Sequence, residues 1–294
     1  MIISASRRTD IPAFYADWFF HRLSQGFCTV RNPFNPAQSR DVSLRPEDID
    51  AIVFWTRHSH SMHSGLHRLD DPGIPYYFLY TLTRYDRDLE PHVPAFEILR
   101  DDFITLSRLI GPDRVLWRYD PIILCEAYDF PRHLELFAQT AHALEGATHR
   151  VIMSFVNYYA KTRKNMQPLV DHTGPVAERP DTQPGFEDFI TSLVRESHNH
   201  GMDIRSCAES IPMEHLGVKK GKCIADQYLR EVFGNSVNKR KDPGQRTECR
   251  CIQSVDIGAY DTCLHGCRYC YAVRDHQVAR EHYDAIQVQQ SGLG

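Results

Sequence analysis

The stretch that decides the fold runs from residue 115 to residue 156 and alternates two hydrophobic patterns. It reads VLWRYD at 115–120, RHLELFAQTAHAL at 132–144 and RVIMSFV at 150–156. The first and third segments are short, apolar and rich in strand-forming residues, whereas the middle one repeats its apolar residues at helical spacing. A strand, a helix and a second strand in this order predict a parallel βαβ unit.

The same alternation extends in both directions along the chain. Further strands are predicted in MIISA (1–5), CTVR (28–31), AIVFW (51–55), YYFLYTL (76–82), MDIRSCA (202–208) and SVDIGAY (254–260). Further helices are predicted in AFYADWFFHRL (13–23), AFEILRDDFITLSRLI (95–110) and FEDFITSLVRESHNH (186–200). About eight strands with intervening helices favour an α/β fold of the (β/α)8, TIM-like barrel type, with residues 1–294 as one domain. An open, doubly wound sheet is the alternative.

Bulk composition excludes some partners. The formal net charge is -4, so the chain has no global attraction to nucleic acid or to anionic membranes. No apolar run approaches the roughly 20 residues of a membrane span, and the apolar stretch at the start of MIISASRR is too short for a signal peptide. We therefore expect a cytoplasmic protein without a membrane partner. A nucleic-acid partner is disfavoured by the charge.

Polar side chains follow the predicted strands. In a barrel, the carboxyl ends of the strands meet on one face, where such enzymes keep their sites. The residues predicted to be catalytic are Arg7, Asp10, Arg118, Asp120 and Glu209, and those predicted to bind a cofactor there include Arg84 and Asn157. Several arginines suit an anionic substrate or a cofactor carboxylate, because guanidinium pairs with such groups through two hydrogen bonds. The alternative is that these strand ends are polar because they meet solvent.

The nine cysteines are unevenly distributed. Without an export signal they are expected to remain thiols, which favours metal binding or catalysis over disulfides. Cys28 and Cys125 lie in apolar surroundings and are predicted to be buried core thiols. The other seven fall in a cysteine-rich region at 207–271, namely Cys207, Cys223, Cys249, Cys251, Cys263, Cys267 and Cys270. Seven cysteines in one region indicate metal ligands.

The last three cysteines form the pattern C-x3-C-x2-C, with Tyr269 directly before the last. Three closely spaced thiolates can hold three irons of a four-iron, four-sulfur cluster and leave the fourth iron open. A structural zinc site usually needs four protein ligands, so zinc is the alternative if His265 or a distant cysteine completes the set.

The segment Cys263-x3-Cys267-Arg268-Tyr269-Cys270, preceded by the predicted strand SVDIGAY, resembles the cluster loop of the radical SAM superfamily. The resemblance implies a 4Fe-4S cluster on these cysteines, with S-adenosylmethionine (SAM) on the open iron and Tyr269 beside the cofactor. It also implies reductive cleavage of SAM to a 5'-deoxyadenosyl radical that abstracts hydrogen from a substrate. In that superfamily the loop usually follows the first strand, whereas here it follows the last predicted strand, so the chain is expected to be a circularly permuted version.

Over nearly its full length the chain also resembles a bacterial family of unknown function, the one numbered 1848. The resemblance rests on MIISASRRTDIPAFY, VRNPFNP, AIVFWT, RYDP and ECRCIQSVDIGAYDTCLHGCRYCYA. That family has no established reaction, so the resemblance bears on architecture and cluster and names no substrate.

The four remaining cysteines of this region leave several alternatives open. Cys223, Cys249 and Cys251, with Cys207, are predicted to form a second metal site that holds either an auxiliary cluster or zinc. Alternatively, one of them closes the first cluster, which would make the protein a noncatalytic iron-sulfur electron carrier or sensor. A third possibility is a zinc-stabilised barrel that acts by acid–base chemistry through Asp10, Asp120 and Glu209.

Two further segments attract attention without a decisive pattern. HSHSMHSGLH contains His58, His60, His63 and His67, three of which share a helix face if the segment is helical; a solvated polar segment is favoured. Basic residues between Lys219 and Arg246 are read as solvated loops. If they are functional, they suit an acidic electron donor such as a flavodoxin or a ferredoxin.

Overall fold

The computed structural model describes residues 1–33 and 35–294. Phe34, which belongs to the segment VRNPFNP, lies outside the described residues. The strands are β1 (Ile2–Ala5), β2 (Phe27–Asn32), β3 (Asn35–Ser43), β4 (Ala51–Thr56), β5 (Tyr76–Thr81), β6 (Val115–Ile122), β7 (Arg150–Phe155), β8 (Asp203–Ser206), β9 (Lys219–Lys220) and β10 (Val255–Asp256).

Helices occupy most of the connections. They are α1 (Ile11–Phe14), α2 (Ala16–Gln25), α3 (His60–His63), α4 (His67–Asp70), α5 (Phe96–Ile110), α6 (Phe130–Ala143), α7 (Ala160–Met166), α8 (Val170–Thr173), α9 (Phe186–Asn199), α10 (Asp226–Phe233) and α11 (His276–Ala285). Short 3-10 helices lie at Pro46–Asp48, Pro112–Arg114, Gln167–Leu169, Pro180–Thr182 and Glu214–Leu216. None of the described helices is both long and apolar enough to cross a bilayer.

Eight strands form one parallel sheet in the order β10-β1-β4-β5-β6-β7-β8-β9. The mixed α/β class and the eight-stranded parallel sheet agree with the prediction. Chain order and spatial order coincide from β1 to β9, and the late strand β10 lies beside β1, with Ile3 opposite Val255 and Ser4 opposite Asp256. Strands β9 and β10 are the edges, and no ladder joins them within the described residues.

One predicted member of the sheet was wrong. The segment CTVR lies in β2, which pairs antiparallel with β3 in a separate hairpin, with Cys28 opposite Val42. The eighth strand of the main sheet is instead β9, two exposed lysines that carry no hydrophobic signal. The predicted strand SVDIGAY shortens to two residues, Val255 and Asp256.

The two faces of the sheet have different partners, because successive strand residues point to opposite sides. Ile3, Tyr76 and Phe78 belong to the core cluster that includes the helices α5, α6 and α9. Their neighbours Ile2 and Tyr77 belong to a second cluster with α10 and four cysteines. Both faces are therefore covered, as is usual for a parallel sheet, and the cysteine-bearing segment 223–252 covers one of them.

Candidate functional site

A cavity of about 280 Å³ lies where the chain leaves several strands at their carboxyl ends. Its lining includes these residues predicted from sequence: Arg7, Asp10, Arg118, Asp120, Asn157, Tyr269, Cys207, Cys223, Cys249, Cys251, Cys263, Cys267 and Cys270. The fold thus brings the polar strand ends and both groups of cysteines to one place.

Two predicted site residues are not part of this lining. Arg84 donates a hydrogen bond to Gln139 of α6 (2.8 Å), and its guanidinium lies 4.0 Å from the centre of the Phe96 ring in α5. Its guanidinium therefore contacts two helices. Glu209 accepts hydrogen bonds from the backbone N–H of Phe155 (3.1 Å) and of Ser210 (2.9 Å), although burial raises the pKa of its carboxyl group. Both carboxylate oxygens of Glu209 therefore hold the local backbone.

Asp256 fixes the start of the cysteine loop against the first strand. Its carboxylate accepts hydrogen bonds from the Ser4 hydroxyl (2.8 Å), the Ser6 hydroxyl (2.7 Å) and the Arg7 backbone N–H (2.8 Å). A carboxylate with this many donors is strongly oriented. Asp256 was not singled out from the sequence, although an acid in the middle of the apolar segment SVDIGAY is a usable signal for a buried polar role.

Asp10 anchors the middle of the loop. One carboxylate oxygen accepts from the Ala13 N–H (3.0 Å) and caps α1, while the other accepts from the Arg57 N–H (2.7 Å) and bonds His265 Nε2 (2.8 Å). Asp10 is buried, and both of its oxygens are engaged. In this structure it positions His265, and a catalytic role for Asp10 stays a prediction.

Gly266, between Cys263 and Cys267, lets the loop turn tightly. Its φ is +74°, a conformation that favours glycine, and a Cβ there would lie 2.9 Å from the His92 ring. On either side, the His92 N–H donates to the His265 carbonyl (3.1 Å) and the Arg268 N–H donates to the Leu89 carbonyl (2.9 Å). The loop is therefore held by backbone bonds to the segment after β5.

Of the three loop thiols, that of Cys267 is buried, those of Cys263 and Cys270 are partly buried, and the latter two receive backbone donors. The Ala272 N–H donates to Cys270 Sγ (3.3 Å), and the His265 N–H hydrogen-bonds Cys263. Burial raises the pKa of all three thiols, that of Cys267 to about 12. Burial thus disfavours the thiolate form of these residues, and a bound metal ion would supply the positive charge that favours it. Three neighbouring thiols with backbone donors are residues that could hold a metal centre.

A buried charged network lies beside Cys267. Arg57 pairs with Glu90 (Nη1 to Oε1, 2.9 Å) and donates to the Thr83 hydroxyl (3.2 Å), and the Tyr269 hydroxyl is hydrogen-bonded to both Arg57 and Glu90. Desolvation by burial raises the pKa of Tyr269 well above its usual range. Tyr269 therefore stays a neutral phenol that locks the loop to the network. Glu90 carried no sequence signal for this role.

A second polar group lies across β6 and β7. Arg118 donates to the Thr81 hydroxyl (3.2 Å) and pairs with Asp120, and its guanidinium lies 4.8 Å from the centre of the Trp55 ring. Asp120 also accepts from the Ser154 hydroxyl (2.6 Å). Both side chains are mostly buried and line the cavity, as expected for groups that bind a polar ligand.

The cavity carries an excess of positive charge. Its lining contains five arginines, Arg7, Arg8, Arg57, Arg118 and Arg246, and two aspartates, Asp10 and Asp120. Three of these guanidinium groups are paired with acids, namely Arg57 with Glu90, Arg7 with Asp242 and Arg118 with Asp120. The remaining positive charge of this partly open site favours ligands with carboxylate or phosphate groups.

The other four cysteines lie together. Cys207 Sγ and Cys223 Sγ are 2.9 Å apart, and the thiols of Cys207, Cys223 and Cys249 share hydrogen bonds with Cys251. These bonds lower the pKa of Cys251 well below its usual range. All four side chains are buried. Cys28 and Cys125 are buried away from both groups, which confirms their prediction as core thiols.

The histidine-rich segment divides into two short helices, α3 and α4. His60 and His63 lie near Asp102 in a geometry that could hold a metal ion. His67 lies in the second helix and contacts the Ser64 carbonyl, so the three histidines do not share one continuous helix. His60 and His67 are exposed, as expected for a solvated polar segment.

The basic segment is partly neutralised. Lys219 pairs with Asp203 (2.8 Å), Lys222 pairs with Asp226 (2.6 Å) and Lys220 pairs with Glu214. These pairs reduce the positive charge available to an acidic partner.

The fold and the cavity define an α/β protein with a cysteine-lined site at the carboxyl edge of a parallel sheet. A family model described as a domain of unknown function (DUF1848) matches residues 2–272. The chain belongs to this family, in agreement with the resemblance seen in its sequence. No curated protein and no solved structure matches the chain.

Proposed function

We propose that the protein is an iron-sulfur enzyme of the radical SAM type, in which Cys263, Cys267 and Cys270 hold a 4Fe-4S cluster. One observation carries the proposal. All seven cysteines of the region line one arginine-rich cavity, but four of them hydrogen-bond to one another as a separate group, which leaves three thiols in the loop. Three cysteine ligands that face a partly open cavity suit a cluster with one open iron.

The position of the loop supports a permuted barrel as part of the proposal. In the radical SAM superfamily, the cluster loop follows the first strand of a partial barrel. Here the loop follows β10, and β10 pairs in parallel with β1 at the edge of the sheet. A chain cut at another point of the ring delivers the same loop to the same place, so the late position of the cysteines in the sequence is compatible with that architecture.

When bound, the cluster would supply one electron to the sulfonium of SAM, breaking a carbon–sulfur bond and giving methionine and a 5'-deoxyadenosyl radical. The chain's own groups have other tasks. Arg118, oriented by Asp120 and Thr81, presents a guanidinium to a carboxylate in the cavity. Tyr269, Arg57 and Glu90 exclude water beside Cys267. We propose an anionic substrate, because arginines dominate the charged lining.

The first test is low-temperature electron paramagnetic resonance on anaerobically purified, dithionite-reduced protein, with and without SAM. The expected result is a reduced four-iron signal that changes when SAM is added, followed by formation of 5'-deoxyadenosine. A protein that holds no iron would refute the cluster. A cluster signal indifferent to SAM would refute the open iron.

A second candidate is a closed cluster in an electron carrier, and one observation favours it. His265 Nε2 is bonded to Asp10, but its other ring nitrogen, Nδ1, is buried without a hydrogen-bond partner among the described residues. An imidazole can replace a thiolate as a cluster ligand. If His265 closes the cluster, the signal is insensitive to SAM in the native protein and becomes sensitive in the variant His265→Ala.

A further inference from the structure

The four-cysteine group formed by Cys207, Cys223, Cys249 and Cys251 is buried and has an unusual internal geometry. Each of the four residues is less than 10% exposed, with Cys223 at 2% and Cys251 at 1%. The 2.9 Å separation between Cys207 Sγ and Cys223 Sγ is far longer than the roughly 2.05 Å of a disulfide bond. The thiols of Cys207, Cys223 and Cys249 are also hydrogen-bonded to Cys251, so the four sulfurs form one group, and four cysteines are a ligand set typical of a structural metal site.

The compactness of the group selects the kind of centre. Four sulfurs around one zinc ion lie about 2.3 Å from the metal, which places them about 3.8 Å from one another in a tetrahedron. The sulfurs of Cys207 and Cys223 need to separate by about 1 Å to reach that geometry. An iron-sulfur cube holds its cysteines around a much larger centre of four metals and four sulfides. Moving hydrogen-bonded thiols that far apart would require the surrounding segments to separate.

Two arginines beside the group supply positive charge. Arg7 interacts electrostatically with Cys251, and Arg118 does so with Cys207. Each guanidinium has one buried nitrogen, Nη2 in Arg7 and Nε in Arg118, without a hydrogen-bond partner in the described part of the chain. A divalent ion with four thiolates carries two net negative charges. The positive charge of these two arginines offsets part of that negative charge.

We propose that Cys207, Cys223, Cys249 and Cys251 bind a single divalent metal ion, Zn2+, in a tetrahedral four-thiolate site separate from the cysteine loop. Binding forms four metal–sulfur bonds and releases up to four thiol protons to solvent, with no change of oxidation state. The site uses all four ligands from the protein, so it leaves no open position and has a structural role.

The position of the ligands in the fold indicates what the ion holds together. Cys207 follows β8 and Cys223 follows β9, at one end of the sheet, whereas Cys249 and Cys251 precede β10, the edge strand at the other end. The protein already joins these segments by two backbone donors. The Ile252 N–H donates to the Ile224 carbonyl (3.1 Å) and the Ile224 N–H donates to Cys251 Sγ (3.4 Å). The ion connects the segments that follow β8 and β9 to the segment that precedes β10, and so fixes one side of the cavity.

The test uses the full chain and needs no substrate. Zinc and iron are counted on anaerobically purified protein, and metal-free protein is titrated with Co2+ alone. The expected result is about one zinc per chain and the intense ligand-field absorption of a tetrahedral cobalt–thiolate centre. Cys251→Ser and Cys223→Ser are expected to lose the zinc, whereas Cys28→Ser, a buried thiol outside both groups, is expected to keep it.

Three outcomes would overturn the proposal. These are a disulfide between Cys207 and Cys223 found by mass spectrometry, a second iron-sulfur cluster in place of zinc, and wild-type protein that binds neither zinc nor cobalt at this group. The titration of the unmutated chain keeps the test decisive if a serine variant does not fold. The proposal does not depend on the cluster. Wild-type protein that holds zinc but no iron would refute only the proposed function. Wild-type protein that holds iron but no zinc would refute only this site.

Discussion

The two cysteine groups line one cavity but are built in different ways. The loop group comes from eight consecutive residues, and its sulfurs receive donors from the backbone of the same loop. The four-cysteine group comes from three separated segments, and its sulfurs contact one another. A local group of ligands can be recognised from spacing alone, whereas a dispersed group becomes recognisable only when the strands that carry it are placed side by side.

The largest effect is expected from removing a loop thiol. Cys267→Ala takes away one of the three proposed cluster ligands, so the iron content and the reduced EPR signal are expected to disappear together with formation of 5'-deoxyadenosine. Cys125→Ala, which removes a buried thiol outside both groups, serves as the control. Full iron content in the Cys267 variant would show that the iron is not bound by the loop thiols, and the proposed difference in role between the two cysteine groups would be refuted.

The next effect tests whether the polar residues of β6 act on the ligand and not on the cluster. Asp120→Asn removes the charge that pairs with Arg118, so the guanidinium is no longer fixed. Iron content is expected to stay unchanged, while 5'-deoxyadenosine formation falls by about 100-fold, the order of magnitude for a misplaced binding group. Arg100→Ala, at an exposed ion pair, is the control. Unchanged turnover in Asp120→Asn would mean that Arg118 and Asp120 do not take part in binding the ligand.

Asp10→Asn tests the support behind the loop. The carboxylate bonds His265 and accepts the Arg57 N–H, and an amide can no longer accept at both positions with full charge. The loss of a residue that orients ligands is expected to weaken cluster retention by about 10- to 100-fold, measured as iron released to a chelator. Zinc in the four-cysteine group is expected to be unaffected. Equal loss of both metals would mean that the two groups unfold as one unit.

The pH dependence of the free energy of unfolding can be separated from the pH dependence of metal binding through one buried histidine, His133. Burial lowers the pKa of His133 to about 4, below the value near 6.5 that it has in the unfolded chain. The unfolded state therefore binds the extra proton first. This group's contribution to stability is complete above about pH 6.5 and is lost as the pH falls toward 4, by up to about 3 kcal/mol.

In His133→Gln that part of the pH dependence is expected to vanish from urea melts recorded between pH 7 and pH 4. Metal release that persists over the same range then reports protonation of the cysteine thiolates. A variant whose melts keep the pH dependence of the native chain would contradict the assignment to His133.

The smallest effect isolates the turn within the loop. Gly266→Ala combines a positive φ with a contact to His92, whereas Gly73→Ala has a similar φ of +70° and nothing within 4 Å. The left-handed conformation alone costs about 1–2 kcal/mol for a residue with a Cβ. The Gly266 variant is expected to be less stable than the Gly73 variant in denaturant melts and to hold less iron. Equal melts would mean that His92 moves away without cost.

Much of the fold was predictable because apolar strands and amphipathic helices carry strong periodic signals. The helix predicted from FEDFITSLVRESHNH forms and begins at Phe186, and its apolar residues Phe189, Ile190 and Leu193, which recur at helical spacing, are buried. The strand Lys219–Lys220 carries no such signal, since its residues are exposed and it exists only because β8 offers an edge. Short edge strands are fixed by tertiary pairing and not by their own composition.

The candidate site was predictable in part for a similar reason. Polar residues at the carboxyl ends of strands, such as Arg7 shortly after β1 and Asp120 near the end of β6, line the cavity because parallel strands end on one side. Arg84 occupies the equivalent position after β5, but it has a positive φ of 63° and contacts helices. The local backbone conformation decides whether such a residue lines the cavity or contacts a helix. The sequence pattern alone does not give that conformation.

The pairing of β10 with β1 also has a consequence for biosynthesis. The bond between Ser6 and Asp256 spans 250 positions, so the cysteine loop can dock beside β1 only after the residues between them have been synthesised. Contacts of such long range form late and slowly in folding. The loop cysteines therefore reach their surroundings later than the strands from β4 to β7, which pair with strands close to them in the chain.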